Sequence, residues 1–208
     1  MKRQYVWLFA LGLILAGAEV RGADPTAKGG IIKGVITVAG KPVADVVVSL
    51  ESVPAQTAKA QLSAQPKKAV IDQKEMKFVP HVLPVQVGTT VDFPNHDTQW
   101  HNVYSKGGAK DFDLGLYPPG KTRSVTFDKA GVDRILCNVH PDMEAFVVVK
   151  EHPYFSGADK GGNYRLNTVP LGKYRIQVWH PQLGTSESDI EIVRDGEVLE
   201  INFDLKKK

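Results

Sequence analysis

Apolar and polar residues alternate with a period of two over long stretches of this 208-residue chain, a spacing that admits strands and rules out surface helices. Near the C-terminus Tyr174, Ile176 and Val178 alternate with Arg175 and Gln177. Leu199, Ile201, Phe203 and Leu205 alternate in the same way with Glu200, Asn202 and Asp204. Each pattern describes a half-buried strand with one wet face. Asp195-Gly196 reads as a two-residue hairpin turn between the last two strands. No amphipathic helix of ordinary length competes with these signals, so the chain reads as all-β and sandwich-like.

The strands fall into blocks. Residues 30–52 contain two, Ile31–Val38 and Val43–Leu50, turning at Ala39-Gly40-Lys41-Pro42. Residues 53–68 are rich in Ala, Gln, Lys and Pro and read as a linker. Residues 69–150 form a unit of short strands, among them Val85–Val87, Thr90–Phe93, Ser124–Phe127 and Ala145–Val149. Residues 155–206 carry the strongest alternation. The first block is too small to stand alone, and the last leaves an edge to cover. The economical expectation is that they share one small sandwich, with the middle block inserted between them.

Residues 1–22 read as a secretory signal. Met1-Lys2-Arg3-Gln4 is basic, Val6–Leu15 is apolar but short for a membrane span, and small residues follow. Cleavage is expected after Ala18 or near Gly22, which places the mature chain in the periplasm or outside the cell. Loss of Lys2 and Arg3 takes the formal net charge from +3 to +1, so the basic footprint that nucleic-acid binding requires is missing. The closing Lys206-Lys207-Lys208 reads as a solvated tail.

Cys137 is the single cysteine, an uncommon count for an exported chain, because oxidising compartments favour paired cysteines. It cannot form a disulfide within the chain, so it is either a buried inert thiol or a metal ligand. Its surroundings favour metal. The segment Cys137-Asn138-Val139-His140-Pro141-Asp142-Met143 forms a tight loop between two strands, and His101 follows an earlier strand. Two imidazoles, a thiolate and a thioether are the donors of an electron-transfer copper centre. Zinc would more often recruit a second cysteine or a carboxylate than a thioether. His81, His96, His152 and His180 read as surface residues, although His96 stands close enough to His101 to be weighed as an extra ligand. Trp179 reads as a strand-terminal core residue, with sugar stacking as the alternative.

Phe78-Val79-Pro80, Val91-Asp92-Phe93-Pro94-Asn95, His101-Asn102-Val103, Phe112-Asp113 and the Cys137 loop together resemble the plastocyanin/azurin, or cupredoxin, family. The short loop with a proline after His140 is similar to its amicyanin branch. The resemblance implies a Greek-key β-sandwich holding one type 1 (blue) copper ion through His101, Cys137, His140 and Met143. It also implies that Asn95 is an amide tying the ligand loops together and that Asn138 hydrogen-bonds near the thiolate. Trp100 and Leu136 depart from the family pattern, on the partner surface and electron path rather than in the ligand set. The flanking blocks, with Gly34-Val35, Gly40-Lys41-Pro42-Val43 and Gly162-Asn163-Tyr164-Arg165-Leu166, resemble the carboxypeptidase-regulatory-like (transthyretin-like) sandwich. The combination is similar to exported proteins of the methylamine-utilisation type.

The expected function is one-electron transport between Cu(II) and Cu(I), with a c-type cytochrome or an exported dehydrogenase or reductase as redox partner. Two alternatives are copper storage or delivery, and carbohydrate or partner binding by the flanking sandwich around a structural copper. Enzymatic turnover is not expected. Multicopper enzymes build further sites from His-x-His pairs, and none of the six histidines lies two residues from another.

Overall fold

The computed structural model describes residues 29–54 and 67–206; the signal segment, most of the 53–68 linker, Lys207 and Lys208 lie outside the described residues. The described chain is all-β. The first block supplies β1 (Gly30–Val38), β2 (Lys41–Pro42) and β3 (Val47–Glu51). The middle block supplies β4 (Lys68–Val70), β5 (Asp72–Lys74), β6 (Lys77–Val79), β7 (Val82–Gln86), β8 (Thr89–Pro94), β9 (His101–Ser105), β10 (Phe112–Tyr117), β11 (Thr122–Phe127), β12 (Gly131–Leu136) and β13 (Glu144–Lys150). The last supplies β14 (Phe155–Gly157), β15 (Asn163–Val169), β16 (Gly172–His180), β17 (Gly184–Ile192), β18 (Val198–Glu200) and β19 (Phe203–Leu205).

Strands of the first and last blocks pair with each other. β1 runs antiparallel to β15 and parallel to β18 and β19. β3 lies between β14 and β16, with β17 at the edge. Their inner faces enclose one apolar core that includes Ile32, Ile36, Leu50, Leu166, Ile176 and Phe203. In the middle block the sheet β10-β9-β12-β13-β7 faces the sheet β11-β8-β4 across a second core, built around Ile71, Phe93, Val103, Phe127, Ile135 and Val147.

Two runs break the alternation because both of their faces are covered. Val46, Val47, Val48, Ser49 and Leu50 are all buried, as are Ala145, Val147, Val148 and Val149. Val46, Val48 and Leu50 enter the first core, while Ala145, Val147 and Val149 enter the second. The opposite faces meet in a third apolar cluster, Val47, Val82 and Val148 with Phe146 and Trp179. Trp179 is therefore a junction residue rather than part of its own sandwich's core.

Two local expectations are corrected. The strand expected over Val43–Leu50 begins only at Val47, because Asp45 adopts a left-handed conformation (φ 59°) that breaks it. Asp195-Gly196 is a turn but not a hairpin: β17 pairs with β16, and β18 pairs with β1 in the other sheet. Instead, Asp195 Oδ1 accepts the Gly29 N–H at 2.7 Å and the Gly196 N–H reaches the Gly29 carbonyl. The acidic side chain thus fastens the start of β1 while the chain crosses between sheets. The last alternating run is likewise divided into β18 and β19, where the Val35 N–H binds Asn202 Oδ1 at 2.8 Å and the Ile201 N–H binds the Lys33 carbonyl. The Ile201 backbone lies so close to Gly34 that an added Cβ would fall 1.8 Å from the Ile201 oxygen.

Candidate metal centre

His101 opens β9 and Cys137 follows β12, neighbouring strands of one sheet that end at the same edge of the sandwich. Beyond Cys137 the chain turns at once, and the Met143 N–H bonds the His140 carbonyl at 3.0 Å to close the turn. Pro141, with its fixed φ and no N–H, suits this reversal. His101 Nδ1 and His140 Nδ1 lie 3.1 Å apart, and Cys137 Sγ lies 3.9 Å from each. Among the described residues, these three form the one group of His, Cys, Asp or Glu whose ligand atoms converge within 4.8 Å. These donor atoms lie close enough together to share one ion, and the pairing of a soft sulfur with two imidazoles suits copper.

Burial differs across the group. His101, Cys137 and Met143 are buried, Met143 within the apolar core, whereas His140 is half-buried at the rim. Beside the rim Trp100 and Val139 are 53% and 49% exposed. The site is thus apolar behind and open through one imidazole edge.

Asp97 sets the orientation of His101. Its Oδ2 lies 3.0 Å from His101 Nε2, which places the proton on Nε2 and leaves Nδ1 free to face Cys137. Asp97 also accepts the Met76 N–H and the Thr98 N–H, each at 2.7 Å. The Met76 N–H is the largest of the influences that hold the Asp97 carboxyl down to about 2, with Thr98 and His101 assisting. The carboxylate therefore stays ionised at neutral pH, as an anchor for an imidazole N–H must.

The other expected residues separate. Asn95 is fully buried, but its amide donates to the Gln99 and Tyr117 carbonyls and its Oδ1 accepts the Asp97 N–H. It secures the loop before His101 rather than bridging to the Cys137 loop. That bridge is made by Asn102, whose Oδ1 accepts the Asn138 N–H at 3.3 Å and whose Nδ2 donates to Asp113 at 2.7 Å. Asn138 contributes this backbone donor. Asn102 and Asp97 escaped the sequence reading, although both flank a candidate ligand and carry the polar groups that orient one.

Behind the site Tyr117 pairs with His101 across the sheet. Its hydroxyl donates to the Phe93 carbonyl at 2.9 Å, lies 2.6 Å from Gln73 Nε2, and is pushed up to about 12 by burial. The remaining histidines lie elsewhere; His152 and His180, expected at the surface, are buried, each with its Nδ1 accepting a nearby backbone N–H. His96 pairs with Asp72 at 3.0 Å, and His81 with Asp45 at 2.9 Å.

Residues 64–150 match the family model for copper binding proteins of the plastocyanin/azurin family. Amicyanin-alpha of Methylorubrum extorquens is 32% identical over 79 residues, which cover 36% of this chain and 66% of that protein. Amicyanin of Paracoccus denitrificans is 30% identical over 103 residues, covering 48% of this chain and 78% of the relative. A solved structure of a reduced amicyanin mutant is 29% identical with a TM-score of 0.37, covering 50% of this chain and 98% of the other.

Proposed function

Since this chain belongs to the plastocyanin/azurin family of copper-binding proteins, we propose that it is an exported type 1 copper protein that carries single electrons. The observation that carries this reading is the convergence of two imidazole Nδ1 atoms and one thiol sulfur, with His101 and Cys137 buried and His140 half-exposed at the rim. His101, Cys137 and His140 would hold the ion strongly, and Met143 would complete the set as a weak ligand. Copper bound there supplies a Cu(II)/Cu(I) couple.

The chain's own residues account for the rest. Asp97 holds the His101 tautomer, and Asn102 ties the Cys137 loop to β9 and β10. His101 and Cys137 stand at the ends of neighbouring strands of one sheet, a rigid support that would keep rearrangement small when the charge changes. Pro141 removes an N–H donor next to the loop. His140, with Trp100 and Val139 exposed beside it, is the edge through which an electron would pass to a redox partner, a c-type cytochrome or an exported dehydrogenase or reductase. A cupredoxin unit over residues 69–150, set within a carboxypeptidase-regulatory-like sandwich formed by residues 30–52 and 155–206, is the domain organisation this reading adopts. The periplasm, or the exterior of the cell, is the compartment this chain would occupy on the strength of its basic-then-apolar residues 1–22.

Protein-film voltammetry of the copper-loaded chain tests the proposal. A reversible one-electron wave that disappears in Cys137→Ala is expected. Binding of Cu(I) without a reversible wave would favour storage or delivery instead.

A further inference from the structure

The loop that carries Cys137, His140 and Met143 connects β12 to β13, and the pairing of Leu136 with Glu144 closes its stem. Met143 therefore stands one residue before a strand whose outward face is covered by the other sandwich. Phe146, three residues further on, belongs to the apolar cluster at that junction. Its N–H donates to the His81 carbonyl at 2.8 Å, and its ring meets the His81 imidazole edge-on, with ring centres 5.6 Å apart. It also meets the Trp179 indole edge-on, at 5.7 Å.

Two residues of the flanking sandwich hold this seat. Trp179 of β16 pairs across strands with Val47 of β3, while Phe146 of β13 pairs with Val82 of β7. These two cross-strand pairs, one from each sandwich, pack together in the junction. Asp45 precedes β3, and its Oδ2 lies 2.9 Å from His81 Nδ1 across the same junction. Its backbone is left-handed (φ 59°), a conformation that Asp tolerates better than most residues but that is still uncommon with a Cβ present. Such a conformation persists where the surroundings enforce it, and here it accompanies a side chain committed to the other sandwich.

We propose that Asp45 and Trp179 are positioning residues for the metal site: through His81 and Phe146 they seat the start of β13 and, with it, the Met143 side chain. Packed side chains have few alternative arrangements, so a displacement at the junction is passed along the strand rather than absorbed. Its effect on the ion rests on the copper reading above, whereas the packing itself belongs to the copper-free chain as well. A weak thioether tunes the potential of such a centre, so displacing Met143 moves the potential while copper stays bound. His101 is insulated from this effect, because β12 lies between β9 and β13 in the sheet.

The first arm of the test is NMR of the copper-free chain labelled with 13C-methyl methionine, its resonances assigned by Met143→Leu and Met76→Leu. Trp179→Ala should shift and broaden the Met143 methyl resonance and leave that of Met76, in the turn between β5 and β6, unchanged. Trp179→Phe keeps an aromatic ring against Phe146 and should restore the Met143 resonance. Asp45→Gly keeps the left-handed backbone and removes the carboxylate; it should also shift Met143, and it decides alone if Trp179→Ala fails to fold. The second arm is voltammetry of the copper-loaded chains, where the potential should move in Trp179→Ala and return in Trp179→Phe. An unmoved Met143 resonance in the folded variants overturns the proposal, as does an equal shift of Met76, which marks general loosening. A potential unchanged in Trp179→Ala overturns it too. A shifted Met143 resonance in a chain that gives no reversible copper wave upholds the packing relation and refutes the copper reading instead.

Discussion

Replacing Asp97 by Ala isolates the contribution of ligand orientation to copper binding. The carboxylate accepts hydrogen bonds from Met76 N–H, from the Thr98 N–H and hydroxyl, and from His101 Nε2–H. Of these, the bond to His101 alone acts on the metal site. Without it the His101 ring is free to rotate and to exchange tautomers, so part of the free population no longer offers Nδ1 to the ion. Removing the partner that orients a ligating histidine typically weakens metal binding about 10–100-fold, equivalent to about 1.4–2.7 kcal/mol. The assay is a competition titration of copper against a chromophoric chelator at pH 7, for the unaltered chain, Asp97→Ala and Asp97→Asn. Asn keeps an acceptor oxygen and should fall between the other two. The copper-free chain supplies a control. The Asp97 carboxyl is held down from 3.8 to about 2 in the fold, so its contribution to stability is present above its unfolded value and is lost as pH falls through this range. The stability difference between the unaltered copper-free chain and Asp97→Ala should therefore shrink between pH 4 and pH 2. A dissociation constant for Asp97→Ala within twofold of the unaltered value would refute the orienting role.

Two further outcomes follow from packing. Ile135 and Ile176 are fully buried in different cores, and truncating either to Ala should cost about 2–5 kcal/mol in urea unfolding; a loss under 1 kcal/mol at either would contradict the core assignment. Gly34→Ala would place a Cβ 1.8 Å from the Ile201 oxygen, so β18 and β19 must shift, at a cost of about 1–3 kcal/mol. A melting temperature unchanged from that of the unaltered chain would contradict the close approach.

The all-β class was legible because the solvent-facing strands alternate: β16 buries Tyr174, Ile176 and Val178 and exposes Lys173 and Arg175. Strands with both faces covered gave a different signal. The unbroken runs at Val46–Leu50 and Ala145–Val149 are where one sandwich meets the other, a contact that period-two reasoning cannot assign to a partner. Local turn chemistry misled at Asp195-Gly196, because the Asp195 carboxylate is used on Gly29, 166 residues away in sequence. At the candidate site, residue types and spacing marked His101, Cys137, His140 and Met143 as a set, since the ligand chemistry is local to two loops. The groups that orient them were hidden for a geometric reason. Asn95 and Asn102 are equally suitable amides on paper, and only the pairing of β9 beside β12 and β10 shows that Asn102 reaches the Cys137 loop while Asn95 stays within its own.

The central claim is that His101, Cys137, His140 and Met143 together hold one copper ion as a type 1 site. Copper titration of the purified chain followed by visible spectroscopy tests it most directly. A strong thiolate-to-copper band saturating at one equivalent of Cu(II), and absent in Cys137→Ala, is the predicted result. A colourless copper complex, or a band that survives loss of the Cys137 sulfur, would contradict it.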